Sequence, residues 1–434
     1  MMFRFVGLLL LLGIPFGAVH AEPFLAGKAE TVITPPLALK TSLGGYGERM
    51  SQPATGIHDD LRAKALVFVQ GDKKFALVTA DALGFPPPFK EEIVKKIGDP
   101  SWTVENIMLL PSHSHTSFDM SEINPKNEMG IPQLGIFNLS LYTVLSIRFS
   151  TLIQDAERDL APITIGTESA FLKDWVRNRR DGEEVTDQVL TVTRIDDEEG
   201  NPFAVFTNFA AHPTFMSAKD MMFSGGWPGH LQRTVEALIG DEVECLFSNG
   251  AEGDQSPIAR RRSGNSSWER AERYGRELGI EVYRLWKEIE TQPVEKFEYS
   301  YEKLELPTRT WHPDFMATGG AEYGLREDLM DLLIDQMVPE ESACGFLRLN
   351  DLLIIGIPGE MTAEIGKKLR DQVAEKTGVK HPIIGGLANE WISYILSPEQ
   401  YNGGGGYEAS VSFYGPQLGP TVMAAALKGA EKLE

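Results

Sequence analysis

The chain of 434 residues carries 62 acidic and 41 basic side chains, a formal net charge of −21 at pH 7. A surface this acidic repels nucleic acid and anionic membranes, so neither is an expected partner. The two cysteines, Cys245 and Cys344, are too few for a disulfide scaffold or a zinc ribbon. They can pair in an oxidising compartment, and a buried free thiol fits the apolar run around Cys245 equally well.

The N-terminus reads as a secretory leader. Arg4 precedes an apolar run from Phe5 to Ile14, and Val19 and Ala21 set small residues ahead of a cleavage point before Glu22. Residues 1–21 are therefore expected to be a signal peptide, and the protein to be exported, periplasmic or secreted. The run is shorter than the ~20 apolar residues that span a bilayer. No later segment reads as membrane-spanning. Residues 22–434 suffice for one large domain or two ordinary ones. With no internal repeat and no polar linker, a single catalytic domain is expected.

In chain order, residues 23–57 are rich in Gly, Pro and Thr and read as extended segments and turns. Lys64 to Gln70 and Phe75 to Thr79 form a strand pair around Gly71-Asp72. Phe89 to Ile97 has helical periodicity, Val104 to Leu110 is a strand, and Asn138 to Leu160 contains a long helix. Strands follow at Val189 to Ile195 and Phe203 to Phe209. Trp227 to Ile239 is a helix entered through Pro228, Glu244 to Ser248 a strand, and Ser267 to Ile289 an amphipathic helix. The C-terminal part reads as a strand at Phe297 to Leu306, a helix at Leu325 to Gln336, and strands at Ala343 to Leu349 and Leu352 to Ile357. A helix at Thr362 to Glu375, a strand at Pro382 to Leu387 and a closing helix at Thr421 to Leu433 complete it. Strands alternating with helices predict an α/β fold with mixed β-sheets and surrounding helices.

Several strands end in polar clusters, where α/β folds place their sites. Ser112-His113-Ser114-His115-Thr116 sets two of the eight histidines at i, i+2, which aims two imidazoles into one small volume. His212 follows an apolar strand in Ala210-Ala211-His212-Pro213. Asn249 to Pro257 crowds Glu252, Asp254 and Ser256 into one loop whose two glycines permit tight turns. Pro358-Gly359-Glu360 presents an acid between a strand and a helix, where it can also serve the helix dipole. Gly386 to Tyr394 precedes a glycine run, 403–406, and Tyr407-Glu408-Ala409-Ser410. Each cluster alone is equally compatible with an ordinary loop.

Their order is specific, and it resembles the neutral ceramidase family of zinc-dependent amidases. The stretch Ser112 to Ser117 is similar to that family's histidine-rich motif. Ala210 to Pro213, Gly253 to Pro257, Pro358-Gly359-Glu360, Gly386 to Tyr394 and Tyr407 to Pro416 are similar to its later motifs, and Ile57 to Ala65 also fits. In Gly386 to Tyr394, Trp391 stands at a family tyrosine. The resemblance implies that His113, His212, Glu360 and Tyr394 are zinc ligands and that His115 lies beside the metal. It implies Ser256 as nucleophile, Tyr407 as oxyanion donor and Arg179 as a substrate-binding cation. Two imidazoles, a carboxylate and a phenol oxygen make a reasonable Zn²⁺ set. The implied substrate is ceramide or a related N-acylated lipid or amino compound. Two other readings fit the same residues: a metal-dependent ester or phosphoester hydrolase, and a non-catalytic periplasmic binding protein. Ceramidases of the family carry a further C-terminal sandwich domain, which the sequence ending at Glu434 is not expected to contain.

Overall fold

The computed structural model describes residues 22–259, 265–403 and 406–434. Residues 1–21, expected to be a leader, and positions 404–405 of the glycine run lie outside the described residues. Two large sheets dominate. The first contains β1 (Leu25–Val32), β2 (Arg62–Gln70), β3 (Lys73–Ala80), β4 (Ile107–Pro111), β5 (Ala161–Phe171), β6 (Val189–Asp197), β7 (Pro202–Phe209) and β8 (Glu244–Asn249), in the order β8-β7-β6-β5-β1-β2-β3-β4. The second contains β9 (Phe297–Leu304), β10 (Ser342–Leu349), β11 (Leu352–Gly356) and β12 (His381–Gly385), in that order. Most neighbours are antiparallel. Three pairs are parallel: β3 with β4, β7 with β8, and β11 with β12. The mixed sheets and surrounding helices expected from the sequence are present.

Alternation along the strands explains the layering. In β2, Ala63, Ala65 and Val67 face one apolar layer and Leu66 and Phe68 another. A strand buried on both faces reads as a continuous apolar run, as this one does. Leu66, Phe68, Phe75, Leu77, Met108 and Leu110 of the first sheet meet Phe297, Leu347, Leu352, Ile354 and Ile383 of the second. Each such side chain contributes about 1.5–3 kcal/mol of transfer free energy. Helices cover the outer faces. They are α1 (Pro88–Ile97) and α2 (Leu139–Arg158) over β1 to β4, and α3 (Gly226–Ile239) and α4 (Ser267–Trp286) over β6 to β8. The second sheet is covered by α5 (Met330–Met337), α6 (Ala363–Thr377) and α7 (Leu418–Glu431).

Two differences from the sequence reading have physical causes, and one open alternative is resolved. The eleven-residue strand β5, which joins the two halves of the first sheet, has few fully buried side chains and so a weak apolar pattern. By length and composition alone, Pro132–Arg158 would also suffice to cross a membrane, contrary to expectation. In the fold, however, Leu141, Leu145, Phe149, Leu152 and Ile153 of α2 are buried in the core. Arg148 of the same helix donates to the carbonyls of Val32 and Thr34. The cysteines do not pair. Cys245 and Cys344 are both free and buried, in apolar layers outside different sheets.

The α3/α4 contact depends on glycine. A Cβ on Gly275 would stand 2.2 Å from Trp227 O, and one on Gly279 would stand 2.9 Å from Leu231 O. Gly275→Val is expected to destabilise the fold by about 1–3 kcal/mol through overpacking. The check is urea unfolding, where the midpoint should fall at unchanged slope. An unchanged midpoint would show that the helices can separate freely.

Candidate metal centre

The three parallel pairs of the two large sheets point strand ends toward one place. β4 delivers His113 and His115, β7 delivers His212, β8 delivers the Asn249–Asp254 loop, β11 delivers Glu360, and β12 leads to Tyr394. This is the carboxyl-end location at which open α/β sheets carry sites.

Asparagines hold these loops together. Asn249 Nδ2 donates to Ser112 O at 3.2 Å and Ala211 O at 3.0 Å, while its Oδ1 accepts from Ala211 N at 3.1 Å. Asn389 extends the edge of β4: its N donates to Leu109 O at 2.7 Å and its Oδ1 accepts from Leu109 N at 2.9 Å. His113, Leu387 and Asn389 all sit at positive φ (64°, 52° and 69°). Left-handed backbone at non-glycine residues costs about 1–3 kcal/mol each and tends to mark functional loops.

The three imidazoles converge. His113 Nε2 lies 3.1 Å from His212 Nε2 and 3.3 Å from His115 Nε2. The far nitrogens fix the tautomers. His113 Nδ1 meets Leu83 O at 2.6 Å, and His212 Nδ1 meets Glu252 O at 3.1 Å. A carbonyl only accepts, so both Nδ1 atoms carry protons. Neutral rings then turn bare Nε2 lone pairs toward each other. Burial pushes the His115 and His212 imidazoles well below their ordinary range, which favours the neutral form. One proton can satisfy one of these pairs, whereas a divalent cation satisfies all of them.

Glu360 completes the cluster. Its Oε2 lies 3.5 Å from both His113 Nε2 and His212 Nε2, buried and without a hydrogen-bond partner among the described residues. Its Oε1 accepts from Trp391 Nε1 at 2.8 Å. Burial alone would raise this carboxyl. Nearby positive charge, Arg179 included, outweighs that and holds it below the ordinary range. The dipole role open to Glu360 falls to Asp254 instead, whose Oδ1 accepts from Ala363 N at the start of α6 at 3.0 Å.

Tyr394 stands beside Glu360 by register. The two-residue strands Glu360–Met361 and Tyr394–Ile395 pair in parallel, Glu360 opposite Tyr394. The Tyr394 hydroxyl accepts from Arg179 Nη2 at 3.0 Å, and burial raises its pKa well above the ordinary range. Arg179 also donates to Glu408 Oε1 at 2.6 Å and Gly253 O at 2.8 Å. The Tyr407 ring stands edge-on to Tyr394 with centroids 6.0 Å apart. Ser256 lies in the Gln255–Pro257 strand, opposite Arg177 of Val176–Asn178. Its neighbour Gln255 accepts from His212 N at 2.9 Å. Ser256 is not among the described residues that line the cavities at the centre. His113, His115, His212, Glu360, Tyr394, Arg179 and Tyr407 are thus brought together, and Ser256 borders them through the backbone.

Two cavities meet here. A polar, open one of about 630 Å³ is lined by Arg179, Arg180, Glu322, Glu364 and Glu408 among others. An apolar one of about 140 Å³ runs past Leu83, Phe315, Leu325, Leu333, Trp391 and Phe413. Gly45, Tyr46, His115, Tyr394 and Tyr407 line both. The sequence reading did not assign roles to Trp391, Glu252, Tyr46 or the Leu83 carbonyl. The tryptophan standing at a family tyrosine was the one available signal.

The donor set fits a divalent metal. Bare nitrogens, a carboxylate oxygen without a partner and a phenol oxygen face one volume, and the distal imidazole nitrogens are oriented by carbonyls, as ligating histidines require.

Residues 24–267 and 332–423 match the family model for neutral/alkaline non-lysosomal ceramidase, N-terminal. The chain belongs to this family. It is 22% identical over 498 residues to neutral ceramidase A of Dictyostelium discoideum, covering 88% of this chain and 69% of that protein. It is 24% identical over 457 residues to the neutral ceramidase of Mycobacterium tuberculosis, covering 82% and 69%. Against neutral ceramidase B of Dictyostelium discoideum it is 27% identical over 246 residues, but the match spans only 34% of that relative. A crystal structure of neutral ceramidase from Pseudomonas aeruginosa superposes with a TM-score of 0.79 at 19% identity, over 95% of this chain and 75% of that one. That likeness shows the fold.

Trp391→Phe keeps an aromatic ring and removes the N–H that orients Glu360. Metal affinity, measured by chelator competition, is expected to fall about 10–100-fold. Unchanged affinity would mean that Glu360 is held by its backbone alone.

Proposed function

We propose that the protein is an exported, zinc-dependent amidohydrolase that cleaves an N-acyl amide, either ceramide or a related N-acylated lipid or amino compound. One observation carries the reading. The His113–His212–Glu360 cluster lies where an apolar cavity, suited to an acyl chain, joins an open polar cavity, suited to the amine half. Family membership supports the amide chemistry, and the leader sequence supports export.

His113, His212, Glu360 and Tyr394 are the residues that would hold the metal. When bound, Zn²⁺ supplies a Lewis acid that polarises an amide carbonyl and lowers the pKa of what it binds. The chain's own groups do the rest. Leu83 and Glu252 carbonyls keep the His113 and His212 lone pairs pointed inward. Arg179 places a positive charge at the Tyr394 oxygen. Tyr407 offers a hydroxyl to the oxyanion of the tetrahedral intermediate, a contribution of about 2.7–4 kcal/mol for one donor. Ser256 is assigned to the attack, as nucleophile or as the group that positions water, with His115 as its proton partner. The apolar cavity excludes water around the acyl chain.

The test is a substrate panel with zinc-loaded protein: ceramide, an N-acyl amino acid and an aryl phosphate. Turnover of an amide is expected, and turnover of the phosphate alone would end the amidase reading. Tyr407→Phe should lower kcat by about 10²–10³-fold. Ser256→Ala should keep its zinc and lose turnover. Full activity in Ser256→Ala would reassign that serine to the ladder with Arg177.

A further inference from the structure

The loop after β8 carries Glu252 into the interior. The residue has no exposed surface, and neither carboxylate oxygen has a hydrogen-bond partner among the described residues. Its carboxylate forms one group with the His113 imidazole and the Glu360 carboxylate, the three ligand atoms lying within 4.8 Å of one another. Packing keeps it there. A Cβ on Gly386 would stand 2.5 Å from Glu252 Oε2, so that glycine leaves the carboxylate its space. The backbone is equally committed: Glu252 O faces His212 Nδ1, and Gln255 N donates to the same carbonyl at 2.8 Å.

Two enclosed carboxylates side by side repel, and a buried charge needs a partner. Arg179 does not serve Glu252 directly, since its Nε and Nη2 engage Glu408, Gly253 O and Tyr394. A divalent cation would supply that partner.

We propose that Glu252 is a further ligand of the metal centre formed by His113, His212 and Glu360. This rests on the reading of that centre as a metal site. The donor set then has two carboxylates with the two imidazoles and Tyr394. A set so rich in oxygen suits cations that accept five or more ligands, Mn²⁺ and Co²⁺ as well as Zn²⁺. It also makes Glu252 a positioning residue, because its own carbonyl orients His212.

The experiment uses the metal-free full chain, titrated with Co²⁺ in competition with a chelator, for the wild type and Glu252→Gln. Glutamine keeps the volume and removes the charge. The variant is expected to bind Co²⁺ at least about tenfold more weakly and to show a changed visible spectrum, because ligand number and geometry change. In the metal-free state it should melt no lower than the wild type, since a repulsive buried carboxylate has gone. Equal affinity and an identical spectrum in the folded variant would overturn the proposal and leave Glu252 as a neutral structural acid. Should the variant not fold, X-ray absorption on the Co²⁺-loaded wild type decides. A fit requiring two carboxylate oxygens at about 2.0–2.2 Å supports Glu252, and a fit with one overturns it. A wild type that takes up no Co²⁺ would overturn the metal centre itself, a result distinct from a wild type and variant that bind alike.

Discussion

Two carbonyl oxygens decide the chemistry of this protein. Leu83 O and Glu252 O each accept from the Nδ1 of a buried histidine, at 2.6 Å and 3.1 Å, and so commit His113 and His212 to the tautomer whose Nε2 is bare. The two Nε2 atoms then face each other at 3.1 Å. Such a contact is repulsive between neutral rings, and it becomes favourable when a cation stands between them. Glu360, Trp391, Tyr394 and Arg179 are arranged around that requirement. Trp391 turns one carboxylate oxygen away, so the other points at both imidazoles, and Arg179 pairs with the Glu408 carboxylate while donating to the Tyr394 hydroxyl.

The fold exists to keep five loops in register around that contact. Parallel pairing places the ends of β4, β7, β8, β11 and β12 on one side of the molecule. Asn249 ties the Ser112 and Ala211 backbones together, and Asn389 pairs with β4 in place of another strand. The short parallel ladder between Glu360 and Tyr394 sets two donors side by side. Removing an asparagine of this kind leaves buried backbone groups unpaired, at about 1–3 kcal/mol each, so these residues belong to the geometry of the site as much as to stability.

Much of this was legible in the sequence, for reasons that particular residues make plain. The apolar runs of β2, β3, β4 and β11 are buried on both faces, so composition alone marks them. The histidine pair after β4 and His212 after β7 announce themselves because few other histidines exist in the chain. β5 was hidden because its faces are only partly buried. α2 is long and apolar enough for a membrane, which the sequence reading missed, while the fold buries one apolar face of it, Leu141, Leu145, Phe149, Leu152 and Ile153, in the core. The tautomers could not be read at all, because they depend on carbonyls 30 and 40 residues away in the chain. Glu252 looked like one more acid in a Gly/Asp/Ser turn. Only its complete burial beside Glu360 sets it apart.

The central claim is that the facing imidazoles hold a divalent metal. Elemental analysis after zinc reconstitution and dialysis, on the wild type and on His212→Ala, tests it most directly. About one tightly held zinc per wild-type chain and little or none in the variant are expected, because binding depends on the neutral imidazoles. A folded wild type without stoichiometric zinc, or a His212→Ala protein that retains it, would contradict the account.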